Sequence, residues 1–322
     1  MSRAGSRRHA AGIDYREMLA QLQPEIVGRR GTSTSTVTWR WPPPVPPAGS
    51  AREKLLLPDA GRSGRIAACR EAGTKLAIAH RNRYHPAIPV VRQALESGEI
   101  GELLEIRGRG REDQRGGVQD LWVLGTHIFD MTRCFGGDAR ACSAVLLQDG
   151  RPATPADVRP GDEGVGPIAG NQLHARFEMS SGVPAYFDSI RNRVDPDANF
   201  GLQLIGNKGL IDIRIDAEPL AHLVPGNPFR PTVTPRQWIP ITSAGVGRSE
   251  PIPNLKSLVE HHVYAARDLL AAIKESRAPL SSETDGRAIV EMTHAVLCSH
   301  VHNGERVVLP LKERGHAFDG WR

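Results

Sequence analysis

Several residue types are scarce in this chain of 322 residues, and their scarcity argues against whole classes of protein. Only four cysteines are present and none is closely paired in sequence, which predicts reduced, mostly buried thiols instead of a disulfide framework. No run of about 18 apolar residues occurs, so no membrane span is expected. Arg7-Arg8 is not followed by an apolar stretch, which predicts no secretion signal and a cytoplasmic protein.

Clusters of basic residues are also missing, although the formal net charge is +5. The arginines are scattered, no lysine-rich run exists, and aromatic residues make up only 5% of the chain. Nucleic-acid-binding proteins concentrate basic residues on one face or along one helix, so we expect no nucleic-acid partner. A hydrophobic content of 39% is sufficient for a core, and the length allows two domains.

Residues 28–64 carry little sign of regular structure. Of these 37 residues, 19 are Pro, Gly, Ser or Thr and two are acidic, a composition typical of loops or disorder. A structureless insert of this length is unusual inside a compact α/β domain. One hypothesis is a frameshift, because back-translation with GC-rich codons and a shifted frame yields a turn and an amphipathic helix. The alternative is a genuine proline-rich surface insertion.

Beyond residue 66 the apolar periodicities return and predict regular structure. A buried strand and a helix come first, then antiparallel hairpins with glycine-containing turns, and finally two helices. These elements are predicted at residues 75–81, 86–98, 173–193, 201–215, 257–275 and 285–301. The order predicts an α/β plus α+β fold. An incomplete parallel βα domain over residues 1–82 precedes an open-faced, mostly antiparallel sheet domain with helices on one face over residues 83–322.

The stretch LWVLGTHIFD, residues 121–130, places His127 near a helix start, with Asp130 three residues later. A histidine fixed there can titrate near neutral pH and move a proton for a reacting alcohol. The alternative is a helix-terminal histidine satisfied by the backbone. On the preceding loop, Arg111, Asp113 and Arg115 are candidate substrate ligands, because guanidinium groups suit planar anions; a solvated loop is the alternative. No metal site is predicted.

Over most of residues 66–314 the chain resembles the Gfo/Idh/MocA oxidoreductases. The resemblance rests on the order of AACREAGTKLAIAHRNRYHPAI, QALESGEIGELLEIRGRG, LGTHIFDMTRCFGG, GLQLIGNKG and SRAPLSSETDGRAIVEM. It implies an N-terminal Rossmann-type domain, here truncated, that binds NAD or NADP. It also implies a substrate domain for a sugar, polyol or cyclic alcohol, and hydride transfer between the substrate carbon and the nicotinamide.

The resemblance also implies roles for individual residues. His127 becomes the acid/base histidine and Lys54 the catalytic lysine, although Lys54 precedes Leu55 where the family has proline. The family often has an aspartate four residues before the histidine; here that position is Val123, and the nearest upstream carboxylate is Asp120. The substrate site is assigned Asp130, Arg83, Arg115 and Asp120, and the cofactor site Glu53, Lys54, His80 and Arg83.

Alternatives exist for three of these assignments. Asp130 is equally well explained as a structural carboxylate, Arg83 as an ion-pair partner at the domain junction, and Lys54 as a solvated lysine.

The cofactor's usual phosphate site is missing, because no G-x-G-x-x-G opens a helix anywhere in the chain. The sequence therefore predicts an NAD(P)-dependent oxidoreductase in which binding of NAD or NADP is weak or lost. The alternative function is a catalytically inactive carbohydrate-binding or dimerisation remnant. Since the sheet has an open face that needs covering, a homo-oligomer through the C-terminal sheet is expected.

Overall fold

The computed structural model describes residues 26–29, 49–52, 74–192, 200–312 and 315–322. Glu53 and Lys54 lie outside the described residues, as does most of the segment 28–64 and with it the frameshift hypothesis. Within the described part, two main β-sheets and five helices account for most of the regular structure.

The N-terminal part contributes a parallel sheet of three strands, β1 (Ile26–Arg29), β2 (Gly49–Arg52) and β3 (Lys75–Ile78), in sequential order. Sequential parallel order is what one half of a doubly wound sheet shows. Strand β2 and the last two residues of β1, Gly28 and Arg29, lie inside the segment expected to be irregular, so that expectation was wrong for these six residues. The physical reason is tertiary: β2 is paired on both edges, by β1 and β3, and pairing overrides the weak strand propensity of Gly-Ser-Ala-Arg.

The C-terminal part is built on an 11-stranded sheet that is antiparallel except where β4 pairs with β10. The strand order is β15-β14-β13-β12-β11-β4-β10-β9-β5-β16, with β6 pairing β5. The strands are β4 (Leu103–Arg109), β5 (Ala139–Gln148), β6 (Arg151–Pro152), β9 (Gln172–Met179), β10 (Pro184–Ile190), β11 (Gly201–Gly206), β12 (Gly209–Arg214), β13 (Ala221–Pro225), β14 (Ile239–Thr242), β15 (Gly245–Val246) and β16 (Val307–Val308). A separate ribbon pairs β7 (Arg159–Pro160) with β8 (Pro167–Ile168).

The two expected hairpins are confirmed as β9–β10 and β11–β12. Alternation explains their orientation: in β10, Ala185, Phe187 and Ser189 are buried while Tyr186 and Asp188 are half-buried on the other face. One face of the sheet therefore carries the core and the other carries polar side chains, as antiparallel sheets commonly do.

The helices are α1 (Ala87–Glu96), α2 (residues 118–136), α3 (Leu255–Glu260), α4 (Val263–Lys274) and α5 (Glu283–Val301). Helix α2 packs on β4 and β11, and α5 packs on β5. The single helix expected over 257–275 is instead two helices. His262 between them has φ 58°, a left-handed conformation that no continuous α-helix accommodates.

The two parts of the chain meet at the edge of β3. Ile78 N donates to Ser281 O at 2.8 Å, and Ala77 forms an antiparallel bridge with Ser282. Ser282 also caps α5, because its backbone N and its hydroxyl both donate to Asp285 Oδ2. The segment before α5 thus covers a sheet edge and starts a helix at the same point. None of the described helices is both long and apolar enough to cross a membrane.

Candidate active site

His127 lies in the first turn of the regular part of α2 and is buried, with 5% of its surface exposed. Helix α2 begins as an α-turn (Val118–Asp120), continues as a π-helical turn (Leu121–Gly125) and becomes regular at Thr126. Two residues after His127, the ring of Phe129 packs 5.1 Å from those of Phe177 and Phe187 in the sheet. This aromatic contact fixes the helix on the sheet and so fixes the position of His127.

The ring of His80, at the carboxyl end of β3, meets His127 edge to face at 5.7 Å between centroids. His80 is buried, and its Nδ1 lies 3.6 Å from Asp130 Oδ1 and 3.5 Å from Ser281 Oγ. On its other side, His127 faces the ring of Phe200 at 6.4 Å. Two imidazoles from the two parts of the chain therefore share one buried position.

Asp130 is almost fully buried, with 1% of its surface exposed, and Arg83 is its cationic partner. Arg83 Nε lies 3.1 Å from Asp130 Oδ2, and Nη2 donates to the backbone oxygen of Asp130 at 3.0 Å. Burial alone would lower the pKa of Arg83, but the charges of Asp130 and Asp285 outweigh it and raise this pKa. The pair therefore carries its charges inside the protein.

The third guanidinium nitrogen of Arg83, Nη1, lies close to two further acceptors. Its Nη1 lies 3.1 Å from Leu280 O and 3.2 Å from Asp285 Oδ1, and Asp285 also accepts from Arg133 at 2.8 Å. The guanidinium thus joins α2, the segment before α5, and α5 itself. This is the domain-junction ion pair weighed as the alternative for Arg83; binding of substrate or cofactor by Arg83 stays a prediction.

Asp120 precedes His127 by seven residues, and the π-helical turn Leu121–Gly125 lies between them. The Oδ2 atom of Asp120 accepts from Ser189 Oγ at 2.7 Å and from Glu112 N at 3.3 Å. Complete burial raises the pKa of Asp120 to about 6.

The loop between β4 and α2 is held by its own ion pairs. Arg115 Nε lies 3.0 Å from Asp113 Oδ1, and the hydrogen bonds from Arg115 lower the pKa of Asp113. The fully buried Glu112 accepts from Arg109 Nη2 at 2.9 Å and from Ile190 N at 2.9 Å. A side chain at Gly116 is impossible, since its Cβ would lie 2.2 Å from the Cα of Arg191. Substrate binding by Arg115 and Asp120 remains a prediction.

Sequence reasoning missed three contributors to this arrangement: Phe200, Ser281 and Asp285. Phe200 covers His127, Ser281 lies beside His80, and Asp285 anchors Arg83. Asp285 had a visible signal, because Ser282 and Asp285 have the spacing of a capping box. Nothing in the local sequence around Phe200 or Ser281 points to a histidine more than 70 residues away.

The arrangement has the parts needed to move a proton. His127 and His80 are neighbouring imidazoles, and a carboxylate that is itself fixed by a guanidinium lies behind His80. Ligands of open α/β sheets bind at the carboxyl ends of the parallel strands, and β3 ends two residues before His80.

Comparisons with known proteins identify the architecture. No family model matches the chain. Levoglucosan dehydrogenase of Pseudarthrobacter phenanthrenivorans is 22% identical over 261 residues, or 68% of this chain. The chain spans 63% of the length of this curated relative. A solved structure of levoglucosan dehydrogenase with NADH and levoglucosan superposes with a TM-score of 0.68, covering 92% of this chain and 83% of that one at 18% identity.

The chain has the fold of levoglucosan dehydrogenase. An NAD-binding oxidoreductase from Klebsiella pneumoniae superposes similarly, with a TM-score of 0.64 at 18% identity over 93% of this chain and 84% of its own. These neighbours confirm the expected combination of a parallel N-terminal domain with an open-faced mixed sheet, and they are consistent with the Gfo/Idh/MocA resemblance.

Proposed function

We propose that this chain is an NAD(P)-dependent oxidoreductase of the Gfo/Idh/MocA type that acts on a sugar or polyol, with His127 as its acid/base group. The observation that supports this most is the buried contact of His127 with His80 in front of Asp130, at the carboxyl end of a parallel strand. The fold shared with levoglucosan dehydrogenase supports the substrate class.

In this proposal His127 takes the proton from a substrate hydroxyl, and His80 and Asp130 stabilise the charge that His127 gains. NAD(P), when bound, would supply the acceptor for the hydride on the carbon that bears this hydroxyl. Arg83 holds Asp130 in place and thereby orients His80. Lys54 is proposed as a second group that polarises the hydroxyl; in sequence it follows the end of β2 by two residues.

Turnover of a sugar panel that includes levoglucosan and L-sorbose, with NAD and with NADP, tests the assignment. We expect His127→Asn to lower kcat by about 10²- to 10⁴-fold, the usual contribution of a positioned acid/base group. His261→Asn is the matched control, because His261 is exposed and lies between α3 and α4. Undiminished turnover in His127→Asn would contradict the proposal.

We propose that NAD(P) binds here weakly, with its nicotinamide beside His80. The edge of the parallel sheet beside His80 suits a nicotinamide, whereas the chain offers no glycine-rich turn for the pyrophosphate. Losing two or three charge-assisted hydrogen bonds removes about 3–9 kcal/mol of binding free energy, so we propose weak binding in the millimolar range. Isothermal titration with NADH and NADPH checks this, and a micromolar Kd for either would show that another site holds the phosphates.

A second candidate is a sugar-binding protein without turnover. The missing phosphate turn favours it, as does the engagement of Arg83 and Arg115 by protein carboxylates. Thermal stabilisation by a sugar, without turnover in the presence of either nucleotide, would support it over the first candidate.

We also propose that the open face of the large sheet binds a second copy of the chain. That face is lined by polar pairs, for example Arg107 over the Tyr186 ring at 4.8 Å and His174 beside Asp188 at 2.6 Å. Light scattering measures the oligomeric state, and Tyr186→Glu is expected to shift it toward the monomer.

A further inference from the structure

A continuous row of rings joins helix α2 to residues 315–322, which we call the tail. Trp122 on α2 meets His294 on α5 edge to face at 5.6 Å, and His294 meets His316 of the tail at 5.5 Å. His316 in turn lies 5.2 Å from Phe318, which stacks on Trp321 at 5.2 Å. Pairs of aromatic rings at such distances contribute attraction beyond simple burial.

The tail is folded on itself, and Ala317, Phe318 and Trp321 also pack against the main hydrophobic core. Asp319 N donates to His316 O at 2.9 Å and Trp321 N donates to Phe318 O at 3.2 Å, so these backbone bonds are internal to it. Phe318 N also donates to His316 Nδ1 at 3.2 Å, which places the ring proton of a neutral His316 on Nε2. Loss of the ring contacts would therefore detach the tail as a unit.

Three buried nitrogens meet along this row: Trp122 Nε1, His294 Nε2 and His316 Nε2. Within the part of the chain that the structure describes, none of the three has a hydrogen-bond partner. Buried polar atoms without partners destabilise the folded state. The contacts among these three rings therefore depend on side-chain packing, and a single substitution can open them.

Trp122 connects this row to the candidate active site. It is fully buried in the π-helical turn Leu121–Gly125, and His127 follows five residues later on the same helix. Because π-helical turns are rare and are kept by their surroundings, the contact on Trp122 sets the rotation of the helix that presents His127.

We propose that the tail positions helix α2 through His316, which contacts His294, and through His294, which contacts Trp122, so that both histidines are positioning residues for His127. The catalytic consequence of this inference rests on the proposed role of His127. The structural coupling of the tail to α2 does not depend on that role.

The charges around the pair make the contact sensitive to acid. Burial lowers the pKa of His294 to about 4, and the neighbouring His316 lowers it further. Burial also lowers the pKa of His316, and Asp319 from the tail opposes both shifts. From α5, His300 faces Trp321 at 5.4 Å, and burial lowers its pKa too. Asp319 Oδ2 accepts from the backbone N of His316 at 3.2 Å, and in the described part of the chain no carboxylate bonds either ring. Acid therefore places charge among these rings, and we expect the tail to detach.

Hydrogen exchange of residues 118–136 tests the coupling without any substrate. We expect Phe318→Ala, which opens the tail contact, to accelerate exchange in this helix at least tenfold at pH 8. Phe229→Ala removes the same side chain from an exposed loop and should change nothing there. Unchanged exchange in Phe318→Ala would overturn the proposal. If Phe318→Ala does not fold, His316→Ala takes its place with the same two outcomes.

The acid response supplies the second arm. In the wild-type chain, the protection factors of residues 118–136, taken relative to the intrinsic exchange rate at each pH, should fall between pH 8 and pH 5, which is a rise in opening. The double variant His294→Phe, His316→Phe keeps aromatic rings at both positions and should lose this rise. A rise that persists in the double variant overturns the proposal. Neither experiment measures turnover, so the two proposals can fail separately. An active enzyme without this coupling would refute only the role of the tail. Coupling in a chain without activity would refute only the proposed function.

Discussion

Two histidine pairs with nearly the same geometry contact helix α2. His80 and His127 meet edge to face at 5.7 Å with an interplanar angle of 82°, and His294 and His316 meet at 5.5 Å and 80°. Helix α2 supplies His127 to the first pair and touches the second through Trp122.

The pairs differ in the groups around them. The first pair lies beside Asp130, which forms an ion pair with Arg83. In the second pair, His294 contacts Trp122 and His316 contacts Phe318. Burial without a carboxylate in contact lowers the pKa of His294 to about 4, so that pair is neutral near pH 7. Two imidazoles in this geometry do not by themselves make a proton-transfer site. The charges beside them determine whether they can transfer a proton.

The largest effect is expected from removing the charge beside the first pair. Asp130→Ala leaves Arg83 as a buried cation with Asp285 as its remaining carboxylate, and we expect a loss of about 3–5 kcal/mol in the free energy of unfolding. Urea unfolding measures it. Asp138→Ala is the matched control, because Asp138 is 73% exposed and its ion pair with Arg133 contributes little. Equal losses in both variants would contradict the buried ion pair.

The second pair is expected to lower the free energy of unfolding in acid. The folded-state pKa of His294 lies below its usual 6.5, so the unfolded chain binds more protons and stability falls as pH drops from about 6.5 through 4. We expect His294→Phe to remove about 2–3 kcal/mol of this acid-dependent loss. Unfolding free energies of both proteins at pH 7 and pH 4.5 give the difference. A variant that loses as much stability as the wild type would show that His294 does not titrate in this way.

Asp120 offers a carboxylate on the same helix with no cation in direct contact. Its folded-state pKa of about 6 exceeds the ordinary 3.8, so the folded state favours the proton, and this contribution is lost as pH rises through 6. Asp120→Asn keeps an acceptor for Ser189 and removes the charge. We expect a gain of about 1–3 kcal/mol at pH 8 and none at pH 4, measured by thermal or urea unfolding. A variant less stable than the wild type at pH 8 would contradict this.

The smallest effect concerns helix α5, which begins beside the first pair and carries His294 of the second. Ser282→Ala removes the hydroxyl that bonds Asp285 at 2.9 Å, and we expect a loss of about 1 kcal/mol. Ser282→Thr should retain most of the cap. Thermal unfolding of the three proteins measures both changes, and equal stability of the alanine variant and the wild type would mean that the cap contributes nothing.

The sequence by itself determined much of the C-terminal part. Alternating apolar residues specified β9 and β10, a turn at Asn207-Lys208-Gly209 specified the next hairpin, and helical spacing after Pro86 specified α1. These features are local, because a strand or an amphipathic helix is encoded in residues two to four positions apart. The position of His127 at the start of a regular helix was encoded in the same way.

Tertiary structure decided what lies next to each candidate residue. Gly49–Arg52 became a strand because two neighbours paired with it, and His262 broke a helix that periodicity had joined. Asp120 bonds Ser189 from a strand of the sheet, and Arg83 bonds Asp130, which lies 47 positions later in the sequence. Such contacts depend on packing between distant segments, so no local pattern encodes them, and they determine which of two similar histidine pairs has a charge beside it.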